Sequence, residues 1–252
     1  TKGRGGCTYC NNRTFNPAFC HKHLPVAEQM KEGIAFFSHK YPTMRYLAYF
    51  QAYTNTYDSL DNLKRRYEEA LAVEGCVGVV IGTRPDCMPE ELLDYLVELQ
   101  KHTFVLVEYG VETSKNATLE IINRGHTWED AVDAVNRTKA HNILCGIHLI
   151  IGLPGETIDD ILATADAVST LPLDTVKLHQ LQLIRGTRMA QQVEVGELAI
   201  MQWSAEEYID VCLAFLRRLS PEIAVERFVS QSPAELLISP KWGLKNYEFT
   251  NL

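Results

Sequence analysis

The sequence predicts an α/β fold in the form of a partial barrel. From Arg45 onward, short β-rich runs alternate with longer amphipathic ones, which is the pattern of parallel βαβ units with right-handed crossovers. Five of the short runs are nearly continuous in apolar residues, as expected of strands in a parallel sheet covered on both faces. A doubly wound sheet would also fit, but no GxGxxG or Walker A sequence supports its nucleotide-binding members.

Taken in order, Tyr46 to Gln51 reads as the first strand, and Leu60 to Val73 as the helix after it, with apolar residues at three- and four-residue spacing. Val77 to Gly82 with Pro89 to Lys101 makes the second unit, and Phe104 to Tyr109 with Trp128 to Ala140 the third. Ile143 to Ile151 with Ile158 to Ser169 makes the fourth, and Thr175 to Leu181 is the fifth strand. Beyond it the pattern loosens into a turn at Arg185 to Thr187, a helix near Ala205 to Leu219, a short strand near Ile223 to Arg227 and a proline-punctuated tail. The series contains no linker and no internal repeat, so one domain is expected. Its parts are a cysteine-bearing loop at 1–30, a barrel core at 31–190 and a C-terminal extension at 191–252 that packs on the barrel.

Composition narrows the function. At 252 residues the chain can bury a substantial core and needs no staples. The 24 Lys and Arg against 32 Asp and Glu give a formal charge of −8, which offers no overall cationic footprint for a nucleic acid. The longest apolar stretch, Ile143 to Leu153, is broken by Gly146 and His148 and is too short for a bilayer core of roughly 30 Å. No membrane partner is expected. Seven cysteines, an odd number with no secretory signal before them, point to reduced thiols and a cytoplasmic setting. The chain begins at Thr1 in a polar, glycine-rich run, so a further segment upstream is expected.

Two features could carry chemistry. The first is Gly5-Gly6-Cys7-Thr8-Tyr9-Cys10, followed by Cys20, His21 and His23. A tight turn aims two thiolates spaced this way to one side, where they can share a metal or cluster. From the residues alone, zinc held by Cys7, Cys10, Cys20 and either His21 or His23 satisfies four-coordination. An iron-sulfur cluster needs one thiolate more. The second feature is the row of polar residues at the carboxyl ends of the strands: Gln51 to Thr54, Gly82 to Asp86, Glu108 to Glu112, Gly152 to Glu156, and Lys177 with His179. That rim is where parallel α/β folds bind ligands. Each residue alone reads as readily as a cap or turn, but five strands together make an active-site pattern. His148, inside an apolar strand, reads equally as a satisfied core histidine, and Tyr46, Tyr49, Phe50 and Tyr53 read as core.

Six motifs in order resemble the YhcC-like radical SAM proteins, a group similar to the catalytic subunit of Elongator. They are the Cys7/Cys10 loop, Tyr49 to Thr54, Gly82 to Asp86, Asn123-Arg124-Gly125-His126, His148 to Glu156, and Lys177-Leu178-His179. The resemblance runs from about Gly5 to Thr187 and thins beyond. It implies a partial (βα)6-type TIM barrel whose first strand lies upstream of Thr1. It also implies an oxidoreductase in which a 4Fe-4S cluster reductively cleaves S-adenosylmethionine, and the resulting 5′-deoxyadenosyl radical abstracts hydrogen from an unidentified substrate. The electron would come from a donor such as flavodoxin or ferredoxin. By resemblance, Cys7 and Cys10 are two cluster ligands. Gln51, Ala52 and Tyr53 meet the methionine moiety, and Thr83, Arg84, Glu112 and Ser114 lie toward the ribose or carboxylate. The stretch holding His148 and Gly152 backs the adenine, and Leu183 closes over it. The commoner CxxxCxxC spacing would need a cysteine where Gly3 stands, so the resemblance places the third ligand before Thr1. Glu112 departs from the amide found in many members, and RNA enters as a substrate class only through the similarity to Elongator.

Overall fold

The structure is a computed structural model that describes residues 5–14, 17, 20, 23–51 and 53–252. After helix α1 (Val26–Ser38), strand β1 (Tyr46–Phe50) leads through α2 (Leu60–Leu71) to β2 (Cys76–Thr83), and α3 (Glu90–Leu99) leads to β3 (Phe104–Glu112). Helices α4 (Asn116–Ile121) and α5 (Trp128–Ala140) precede β4 (Leu144–Ile151), and α6 (Ile158–Val168) precedes β5 (Thr175–Gln180). A short strand β6 (Leu183–Ile184), helices α7 (Arg188–Glu194) and α8 (Ala205–Leu216), β7 (Ala224–Arg227), β8 (Leu237–Ser239) and α9 (Asn246–Thr250) complete the chain. The main sheet has the order β1-β2-β3-β4-β5-β7, every pair parallel.

Alternation along the strands builds the two sides of this sheet. Val105, Val107 and Tyr109 of β3, Cys145, Ile147 and Leu149 of β4, and Val176 and Leu178 of β5 are buried in the main core. The helices meet them with residues three and four apart, such as Leu63, Tyr67 and Ala70 of α2 or Ile161, Ala165 and Val168 of α6. Helices α5, α6 and α8 each begin with a capping box, at Thr127 with Asp130, Thr157 with Asp160 and Ser204 with Glu207, which fixes where each helix leaves the rim.

The other residues of each strand face a concave side, and the sheet is curled around it. Tyr49 of β1 lies with its ring 4.8 Å from Lys177 Nζ of β5, although three strands separate them. In a flat sheet those strands would stand about 19 Å apart, at about 4.8 Å per step. The architecture is therefore the expected partial barrel. The expectation that both faces are covered holds only for the outer one. At the amino ends of the strands Leu47, Phe104 and Leu144 stay open to solvent, because a half-barrel does not close over its own lumen.

The remaining elements were not legible in the sequence. Helix α1 fully buries no residue, only Val26 and Met30 packing partly against the main core, and it was not read from the sequence. Strands β6 and β8, two and three residues long, pair antiparallel, β6 just ahead of the stretch read as a turn and β8 within the tail. Among the described residues no helix is long and apolar enough to cross a membrane.

Candidate functional site

The carboxyl ends of the strands open into a cavity of about 440 Å³. This lies within the size range of small-molecule and cofactor sites. The cysteine loop forms one wall. Cys10 N–H donates to the Cys7 carbonyl at 3.2 Å, closing the turn that sets both thiols on the cavity. The loop is pinned from both sides. Thr8 N–H donates to the Ile122 carbonyl at 2.9 Å, Met189 N–H donates to the Thr8 carbonyl at 2.8 Å, and Asn123 Nδ2 donates to the Gly6 carbonyl at 2.7 Å. Burial and the neighbouring Cys7 push the Cys10 thiol up to about 11.

Arg124 ties the loop to the sheet. Its guanidinium donates to Cys7 Sγ at 3.4 Å and to the Gly110 carbonyl, and it pairs with Glu112 at 3.2 Å. This approach explains the glycine at 110, since a Cβ there would stand 2.3 Å from Arg124 Nη2. Glu112 and Tyr53 both carry positive φ, 73° and 68°, and both line the cavity. A non-glycine side chain in that region is held there at a cost, and such residues gather at functional sites.

On the concave face a network centres on Glu108, which is 1% exposed. It accepts from the Tyr49 hydroxyl at 2.6 Å, from His148 Nε2 at 2.8 Å and from Lys177 Nζ. Burial alone would raise the Glu108 carboxyl, but His148 first and then Lys177, by hydrogen bond and charge, hold it down at about 2. The Tyr49 hydroxyl is pushed up by its withdrawal from water and by the Glu108 charge. Next to His148, at 5.2 Å between ring centroids, lies His179, whose ring accepts from Arg227 Nη2 at 3.0 Å. Burial and the charges of Arg227 and Lys177 keep His179 well below its ordinary value.

The cavity thus brings together Cys7, Cys10, Gln51, Tyr53, Thr83, Arg84, Glu112 and His148 of the residues expected from sequence. Ser114, Gly152 and Leu183 do not line it. The Ser114 hydroxyl bonds that of Thr164 at 2.9 Å, Gly152 faces Trp203, and Leu183 packs in a small apolar cluster with Leu153 and Met189. Ala52 and His21 lie outside the described residues. The placement of Tyr49 and Tyr53 in core is corrected. They are 38% and 66% exposed and face the cavity, because their alternating positions point into the lumen and past the strand end. Tyr9, Arg227, Ser230 and Ser232 also line the cavity and were not expected there.

Among the described residues no group of three or more His, Cys, Asp and Glu is placed to hold a metal ion. Cys20 does not line the cavity, and burial and the nearby Glu32 push its thiol up. His23 is exposed. The zinc alternative therefore gains no support. The donor set at the cavity suits an iron-sulfur cluster better. Two thiols sit on one turn and face one cavity, the arrangement in which paired cysteines share a cluster.

The radical SAM superfamily signature matches residues 3–168, and the Radical_SAM C-terminal domain matches residues 173–252. This chain belongs to the radical SAM superfamily. Protein YhcC of Escherichia coli K12 is 34% identical over 96% of this chain and 77% of its own length. A tRNA uridine(34) acetyltransferase of Methanocaldococcus infernus is 28% identical over 65% of this chain but 30% of its own length. Among solved structures, that of archaeal M. infernus Elp3 with an N-terminal deletion superposes with a TM-score of 0.72 at 20% identity. It covers 85% of this chain and 55% of that one, so the likeness is one of fold. The radical SAM half-barrel accounts for the sheet order and for a cavity at the strand carboxyl ends.

Proposed function

We propose that this chain is a cytoplasmic radical SAM enzyme in which Cys7 and Cys10 hold two corners of a 4Fe-4S cluster and the strand-end rim holds S-adenosylmethionine. The observation that carries the reading is the Cys7/Cys10 turn facing the same cavity as Arg124, Glu112, Gln51, Tyr53 and Thr83. When bound, the cluster and S-adenosylmethionine supply one-electron reductive cleavage of a sulfonium and so a radical able to take hydrogen from a substrate.

The protein's own residues bind and orient. Arg124 steadies the Cys7 sulfur and, with Glu112, presents a cation and an anion to the amino and carboxylate groups of an amino-acid moiety. Arg84 is locked by Asp86 at 2.8 Å and by the Gly125 carbonyl at 2.8 Å, which stiffens the rim beside Thr83. The Glu108 network holds a fixed charge pattern beneath, so the lumen stays polar where a substrate would enter. A one-electron donor of the flavodoxin or ferredoxin class completes the system. The tRNA-acetyltransferase relative brings RNA in as a substrate class, against which stands the formal charge of −8.

Anaerobic reconstitution tests the reading. The protein is expected to take up iron and sulfide, show visible absorption that dithionite bleaches, and release 5′-deoxyadenosine from S-adenosylmethionine. Cys7→Ala and Cys10→Ala are each expected to lose bound iron. A colourless protein with stoichiometric zinc and no deoxyadenosine overturns it. Added tRNA that raises the deoxyadenosine yield would select RNA as substrate, and an unchanged yield would remove it.

A further inference from the structure

We propose that the part of the cavity beside β7 is a subsite for an oxyanion of the substrate, a carboxylate or phosphate group, held by Arg227. The choice of substrate as the ligand rests on the radical SAM reading of the same cavity. Among the described residues three arginines line it. Arg84 is paired with Asp86 and Arg124 with Glu112. Arg227, on the edge strand β7, has no carboxylate within ion-pair distance among the described residues. Lys177, its register partner on β5, cannot serve in its place, because its charge is already shared between Glu108 and Glu226, the latter at 3.3 Å.

The guanidinium is also short of acceptors. Among the described residues its Nε is buried without a hydrogen-bond partner, and its Nη2 donates only to the His179 ring. That ring accepts from a cation, so its accepting nitrogen carries no proton and it brings no counter-charge. A guanidinium is always charged and has five N–H donors, and withdrawing it from water unpaired is costly. An incoming carboxylate or phosphate on the cavity side would supply both the missing charge and the missing acceptors.

The surroundings are built rather than loose. Gln180 clamps Ser230 with two hydrogen bonds, Nε2 donating to the Ser230 carbonyl at 2.9 Å and Oε1 accepting from Ser230 N–H at 2.8 Å. Gln182 accepts from the Ser232 hydroxyl at 2.6 Å. Ser230, Gln231 and Ser232 line the same cavity, so the wall next to Arg227 is polar and fixed. Arg124, by contrast, is bonded to β3, three places along the sheet from β7, which separates the two cationic positions.

Isothermal titration of the purified full chain with inorganic phosphate and, separately, with malonate, at constant ionic strength set by chloride, tests the proposal. One of the two is expected to bind saturably, and the tighter one tells phosphate from carboxylate. Arg227→Gln is expected to weaken that binding about tenfold or more, since a charge-assisted hydrogen bond contributes at least that factor. Arg227→Lys should fall between, having lost the planar fork, and Arg217→Gln, on an exposed side chain, should bind as the parent does. Absence of saturable binding of both anions, or equal binding by Arg227→Gln and the parent, overturns the subsite. If Arg227→Gln fails to give a native circular dichroism spectrum, Arg227→Lys decides: weaker binding supports the subsite and equal binding overturns it. Absence of deoxyadenosine from the reconstituted parent would overturn the radical SAM reading while leaving the anion titration to stand on its own.

Discussion

Glu156 and Glu108 are both nearly buried glutamates of one rim, yet their carboxyls are driven in opposite directions. Glu108 has Lys177 and His148 against it and is held low, whereas Glu156 receives chiefly the Thr113 hydroxyl, at 2.6 Å, and burial raises it to about 7. Below its ordinary 4.5, Glu156 is protonated folded or unfolded, and burial costs nothing. Between 4.5 and 7 the unfolded chain ionises it while the folded one does not, so stability drains away as pH rises, by on the order of 3 kcal/mol in all. Above 7 the loss is constant. Urea unfolding at pH 5 and pH 8 should therefore show the parent losing ground to Glu156→Gln by about that amount, and a difference independent of pH would refute it. Such particulars were only half legible from sequence. Glu108 and Glu156 were visible as strand-end polar residues, but which of them meets a lysine depends on β5 curling toward β1. Arg227 was hidden altogether, because a single arginine in a short strand gives no sign of facing a cavity.

At the scale of elements, the strands from β1 to β5 and the helices α2, α3, α5, α6 and α8 were readable because Val, Ile and Leu recur at the spacing each element requires. Helix α1 and the β6/β8 pair were not read, since the one packs only partly against the core and the other is shorter than any periodicity can register. Sheet packing makes one glycine stringent. A Cβ on Gly78 of β2 would stand 2.5 Å from the Phe104 carbonyl oxygen and 2.9 Å from Leu47 Cδ2, and the backbone oxygen of a paired strand has no room to yield. Gly78→Ala is expected to destabilise the fold by about 1–3 kcal/mol, the usual cost of overpacking. Denaturant melts of the variant give the comparison, and an unchanged midpoint would contradict the packing described.

Over the whole molecule, the C-terminal stretch is part of the barrel rather than an appendage. It supplies β7 to the main sheet, and its tail returns through an aromatic cluster in which Tyr208 lies 5.1 Å from Trp242 and Phe249 stacks on Trp242 at 6.2 Å. The Trp242 indole N–H donates to the Trp203 carbonyl at 2.9 Å, and the Tyr208 hydroxyl donates to the Phe228 carbonyl at 2.8 Å. Ending the chain after Leu219 would bare the edge of β5 and the apolar face of α8, so that shortened protein is expected to aggregate; recovery of a soluble monomer by size-exclusion chromatography would show the core to be self-sufficient. The sequence hinted at this strand but not at its place, because curvature is a property of the assembled sheet. Parts of the cavity wall thus come from far apart in the sequence, Cys7 and Cys10 from ahead of β1 and Arg227 from β7. During synthesis at about 5–20 residues per second, the two thiols leave the ribosome tens of seconds before the last wall exists. An iron-sulfur cluster of the proposed kind would meet an unfinished vessel in that interval, so its loading would belong after β7 has joined the sheet.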